Sequence, residues 1–121
     1  GTLRSYAIEN QNAETSSLKE MSSVTIPPSV QGLTFATGGK LILSRAYGYT
    51  NELNIYKPTN VGKTSMKLGK KLKTVVTPAL NEGIAINATY LYVNFESAIP
   101  GSLALNHMDR VVAFKLKSIL K

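Results

Sequence analysis

No cysteine and no tryptophan occur in these 121 residues, and there is one histidine, His107. The lack of cysteine removes disulfides, thiolate metal sites and cysteine nucleophiles together. It fits the cytosol, and equally an exported bacterial protein that does without disulfides. His107, between Asn106 and Met108, has no visible partner for a triad or a zinc site and reads as a surface-loop residue. Aromatics make up 7% of the chain, too few for the stacking platform that binds single-stranded nucleic acid. No apolar run approaches about 18 residues, so no membrane span is expected. No basic-plus-apolar leader opens the chain. Acids are scarce as well: seven Asp and Glu against 14 Lys and Arg give a net charge of +7. The isoelectric point is near 9.7. Such a balance aids solubility and also suits polyanions such as anionic lipid or a wall polymer.

What is present is β-prone and punctuated by turn residues. Residues 1–8 read as a strand with Leu3, Ser5 and Ala7 on one face. It starts without a lead-in, as though an upstream part of the fold were missing. Residues 9–17 are polar and read as a loop. Residues 18–26 form a weaker strand, stopped by Pro27-Pro28. Strands follow at 30–36 and 41–47 around the turn Thr37-Gly38-Gly39-Lys40. A turn at 48–51, strands at 52–57 and 70–77, and a loop at 58–69 come next. Asn81–Ile86 and Tyr90–Ser97 form a second hairpin. An insertion at 98–109, a strand at 110–116 and a short tail with room for a helical turn complete the chain.

The hairpins recur. Gly32 and Gly83 are about 51 residues apart, and Leu41 and Leu91 about 50. Tyr6, Tyr56 and Phe114 mark three similar strands. Several short strands per unit of about 50 residues point to β-propeller blades. The expected fold is all-β, with about two and a fraction four-stranded antiparallel units belonging to a larger propeller. Residues 1–29 would be the outer strands of a preceding blade and a loop. Residues 30–78 would be a complete blade, and 79–121 the inner strands of a following blade. Two blades and a fraction cannot close a ring, so missing blades of a parent chain, or self-association, are the expected partners. Leu33, Phe35, Ile84 and Ile86 would then present apolar faces.

Gln31-Gly32-Leu33-Thr34-Phe35 with Leu41-Ile42-Leu43-Ser44, and Glu82-Gly83-Ile84-Ala85 with Leu91-Tyr92-Val93, resemble the paired inner strands of bacterial, often exported, propeller proteins of unassigned role. The Glu-Gly step is also distantly similar to that of the six-bladed lactonase-type propellers. The resemblance covers most of residues 30–119. It implies a secreted or envelope setting. For Glu82 it implies the role of a metal ligand, with calcium as the ion.

Gln31 and Glu82 precede the recurring glycines, which would let backbones crowd near an axis. Glu82 would hold a cation or a small polar ligand, or bond between blades, although one Glu does not supply the six or so oxygens a hard cation wants. Arg45 and Glu96 end the two second strands and would pair between blades or line a rim, so the candidate ligand-binding set is Gln31, Arg45, Glu82 and Glu96. Asp109-Arg110 is a further candidate pair. Lys57, Lys63, Lys67, Lys70, Lys71 and Lys73 lie close together without an intervening acid. Lys63 to Lys73 would bind an anionic polymer, or would guard a sheet edge against aggregation. Nucleic acid is not favoured, because no aromatics interleave. Gly62-Lys63-Thr64-Ser65 ends like a P-loop but lacks the upstream glycine and the strand-to-helix context. Asn87-Ala88-Thr89 fits a glycosylation pattern but falls in a tight turn. No acid–base set for catalysis emerges. The functional expectation is a noncatalytic interaction or ligand-binding segment, with a metal-dependent lactonase-like hydrolase and anionic-polymer binding as alternatives.

Overall fold

The computed structural model describes residues 1–12, 14–47, 50–96 and 109–121. The insertion expected at 98–109, with His107, and the Gly48-Tyr49 turn fall outside them, apart from the backbone of Asp109. The described chain is all-β, with nine strands, a 3-10 turn at Thr37–Gly39 and one short α-helix. The strands are β1 (Thr2–Glu9), β2 (Ser17–Thr25), β3 (Val30–Ala36), β4 (Lys40–Tyr47), β5 (Thr50–Thr59), β6 (Lys67–Val76), β7 (Asn81–Ile86), β8 (Tyr90–Glu96) and β9 (Asp109–Lys115), followed by α1 (Leu116–Leu120). They form three antiparallel sheets in chain order: β1-β2, β3-β4-β5-β6 and β7-β8-β9.

The turns follow from backbone freedom. Gly38 and Gly39 take φ of 73° and 67° between β3 and β4, a region that costs glycine nothing. Between β7 and β8, Asn87 Oδ1 accepts the Thr89 and Tyr90 amides at 2.8 and 2.7 Å, so Asn87 shapes the turn. Residues 58–69 read as one loop in the sequence, but β5 runs to Thr59 and β6 starts at Lys67. Pro58 is accommodated because the β5–β6 register slips between Lys57 and Thr59. A proline lacks the ladder donor and is tolerated at such a bulge.

The middle sheet is covered on both faces. Along β4, Leu41 and Leu43 pack with Tyr56, Ile26 and Leu3 toward the first sheet. Ile42 packs with Leu53, Ile55, Leu91, Val93 and Phe95 toward the third. Leu41, Ile42 and Leu43 are fully buried. That explains the unbroken apolar run, since a strand wet on one side would alternate. α1 adds Leu116 and Ile119 to the larger core.

The outer faces differ. Tyr6, Ile8 and Leu18 of the first sheet and Val111 of the third are exposed. Ile84 and Ile86, expected to be open, pack against the larger core, whereas Leu33 and Phe35 stay 39% and 40% exposed. The cause is coverage: β7 lies along β3 and β4, while the two strands of the first sheet leave the matching part of β3 open.

Pairings follow the same scheme from sheet to sheet. Leu41 pairs with Tyr56 and Leu91 with Phe114. Leu3 pairs with Val24 and Leu53 with Val75, and both ladders slip just before a tyrosine, Tyr6 or Tyr56. Among the described residues, those other than glycine with positive φ are Asn10, Ser29, Asn60 and Leu80. Asn10 and Asn60 are about 50 residues apart, and Ser29 and Leu80 about 51. Ser29 and Leu80 each offer a carbonyl to a strand amide, of Ala46 and Glu96 respectively.

Candidate functional site

The acids of the second and third sheets gather at one end, where β5 and β7 begin and β8 ends. Arg45 does not meet Glu96. It pairs with Glu52, its register partner across β4 and β5, and its Nε donates to the Pro28 carbonyl at 2.9 Å. The physical reason is strand parity. Val30 pairs with Arg45 and Asn81 with Phe95, so Arg45 corresponds to Phe95, and Glu96 points to the other face. Glu52 also accepts Asn54 Nδ2 at 2.8 Å, and Asn54 Oδ1 accepts the Thr74 hydroxyl at 2.9 Å. Burial pushes the neighbouring Tyr56 phenol above its ordinary range. Arg45 opposes that shift and Glu52 adds to it.

Glu82 and Glu96 are brought together at the open end of β7 and β8. Burial first, and the Glu96 carboxylate second, hold the Glu82 carboxyl above the usual range. Asn94 Nδ2 donates to Glu96 at 2.9 Å. Gln31 is exposed on β3 and lines an open cleft with Gly1, Pro27 and Ser29, apart from this pair. Among the described residues no three His, Cys, Asp or Glu side chains come together. Two carboxylates, one of them accepting from the Asn94 amide, do not make the oxygen-rich shell calcium takes. The donor set therefore does not fit the ion that the lactonase-like resemblance implies.

The crowding expected of both recurring glycines belongs to one of them. A Cβ on Gly32 would meet the Glu82 carbonyl oxygen at 2.8 Å and the Ile84 nitrogen at 3.0 Å. At Gly83 nothing lies within 4 Å. Beside this contact is a polar node that sequence reading did not find. Ser44 and Asn81 are fully buried. The Ser44 hydroxyl donates to the Asn81 carbonyl at 2.9 Å and accepts Asn81 Nδ2 at 2.8 Å. Asn81 Nδ2 also reaches the Glu52 carbonyl at 3.1 Å. The Leu80 amide donates to Asn51 Oδ1 at 2.8 Å. The only available signal was a serine closing the apolar run of β4. Asn81 Oδ1 and Thr77 Oγ1 are buried without a partner. The node joins sheets; it offers no nucleophile or base to solvent.

The lysines lie at the other end. Lys67, Lys70, Lys71 and Lys73 are on β6, an edge of the four-stranded sheet, and Lys63 is in the β5–β6 loop. That loop closes on itself: the Lys63 amide donates to the Asn60 carbonyl and the Met66 amide to the Lys63 carbonyl, each at 3.0 Å. It joins two antiparallel strands, so Gly62-Lys63-Thr64-Ser65 has none of the context of a phosphate-binding loop. Among the described residues no helix is long and apolar enough to cross a membrane. Comparison with protein-family models, curated proteins and solved structures finds no match for this chain.

Proposed function

We propose that this chain is a noncatalytic interaction segment of β-propeller type, in which each sheet is one blade or part of one. The observation that carries the reading is the recurrence, at spacings of about 50 residues, of ladder slips and left-handed joints along successive sheets. Blades packed face to face account for a middle sheet buried on both sides. They also give the open surfaces a purpose. Leu33 and Phe35 stand where Ile84 and Ile86 stand one unit later, and only the later pair is covered. The partners proposed are further blades of a parent chain or other copies of this one. The resemblance to exported bacterial propellers supplies the proposed setting, at the envelope or outside the cell.

Light scattering over a range of concentrations tests the reading. The chain should associate, and Leu33→Ser with Phe35→Ser should shift it toward monomer while leaving the β-sheet circular dichroism intact. A wild-type chain that stays monomeric at every concentration, with Leu33 and Phe35 as accessible as in the isolated fold, would overturn it.

A further inference from the structure

Two lysine-bearing stretches far apart in sequence meet at one end of the molecule. The β3–β4 and β7–β8 turns lie side by side there, with Thr37, Ala88, Leu116 and Leu120 lining one cleft. α1 sits across this end. Lys40 Nζ donates to the Leu120 carbonyl at 3.1 Å, and Lys73 Nζ lies 3.4 Å from the carbonyls of Ser118 and Lys121. Lys115 and Lys117 border a second hollow with Ala88 and Thr89. The chain holds no acid between residues 53 and 81, nor between 110 and 121. Glu52, Glu82 and Glu96 all lie at the opposite ends of their strands. Sequence reading found the β6 lysines. The fold adds Lys40, Lys115, Lys117 and Lys121 to the same end.

The charges are held against their own repulsion. Lys57 and Lys70 are register partners across β5 and β6, and like charges directly opposite one another destabilise a sheet. Lys57 Nζ is tied to the Gly38 carbonyl. Among the described residues, the ion pairs are Arg4–Glu20 and Arg45–Glu52, neither of which reaches this end. A bound polyanion would relieve that repulsion.

We propose that this lysine face binds a linear polyanion with closely spaced phosphate groups. Lysine is a compact point charge suited to phosphate oxygens and needs no fixed planar geometry. The lysines run along an edge strand and on to α1, which suits a chain-like ligand. On the second sheet, Phe35, Val61 and Leu72 are the exposed large apolar side chains toward this end among the described residues. They are too few for the continuous apolar face with which a segment enters a bilayer. Neither β6 nor α1, which carry most of these lysines, has an aromatic residue to stack on bases. The inference rests on where the lysines lie, and stands apart from the reading of the sheets as blades.

The test is titration of the full chain with inorganic polyphosphate at several salt concentrations. Binding should weaken steeply with salt. Lys70→Gln with Lys71→Gln should cost about tenfold at low salt and lower the log–log salt slope by about 1.5, as expected for two lost phosphate contacts. Lys70→Arg with Lys71→Arg should restore most of the affinity and so exclude misfolding. Arg4→Gln with Arg110→Gln removes the same net charge elsewhere and should cost less than about twofold. Equal losses from the two charge-matched pairs would reduce the effect to net charge and overturn the proposal. So would binding to phosphatidylserine vesicles, or to duplex DNA, without binding to polyphosphate.

Discussion

A methyl group on Gly32 has nowhere to go. The atoms it would strike are backbone of β7, which cannot swing aside as a flexible side chain would. Gly32→Ala should destabilise the fold by about 1–3 kcal/mol, the usual range for overpacking. Gly83→Ala, with open space around it, should change stability by less than about 0.5 kcal/mol. Thermal melts of the two variants check this, and similar melts would mean that β3 and β7 do not touch there. Ser44 is a second sensitive residue. Ser44→Ala removes both a donor and an acceptor from the buried Asn81 and should cost about 1–3 kcal/mol. Glu82 adds a pH dependence. Its carboxyl holds a proton more readily in the fold than in the unfolded chain. Between the ordinary carboxylate range and the raised value the folded state therefore binds more protons, and stability falls as pH rises. Glu82 is largely solvated, so screening keeps the effect small. As pH rises through the carboxylate range, the wild type should lose a little stability relative to Glu82→Gln; parallel pH profiles would mean that neither burial nor Glu96 holds the Glu82 proton.

α1 is one short helix at the chain's end, buried at Leu116 and Ile119, and should loosen before the sheets do. Lys40 and Lys73 reach its last carbonyls, as cations at a helix C-terminus do, each worth about 0.3–1 kcal/mol. In Lys40→Gln with Lys73→Gln, the amides of Ser118 to Leu120 should exchange faster with solvent while those of Leu41 to Leu43 keep their protection. Equal acceleration in β4 would mean that the helix and the sheets open together. The strands themselves were legible in sequence, because apolar and turn residues sort them. Val30–Ala36 could be read to the residue, whereas the coverage of both faces at Leu41-Ile42-Leu43 came only with the fold. Pro58 hid the end of β5, since whether a proline stops a strand or sits in a bulge depends on the partner strand. The Arg45 partner was not legible for a related reason: spacing along the chain does not give parity, and one residue of slip moves a side chain to the other face. The lysine end was half legible. Nothing in the sequence says that α1 folds back beside Lys40 and Lys73.

At the scale of the molecule, every hydrogen-bonded pair of strands is a pair of neighbours in sequence. The sheets are joined sideways by packing, at Phe95, Ile42 and Leu53 between the second and third, and at Ile26, Leu43 and Tyr56 between the first and second. The chain between β2 and β3 carries no ladder. After Ile26 it crosses through Pro27, Pro28 and Ser29, of which Pro28 offers its carbonyl to Arg45 Nε and Ser29 to the Ala46 amide. Covalent continuity at that joint therefore contributes little beyond keeping the first sheet nearby, at a high effective concentration. Two separately made pieces, residues 1–28 and 29–121, should reassemble when mixed, and β1 and β2 should regain exchange protection only in the presence of the larger piece.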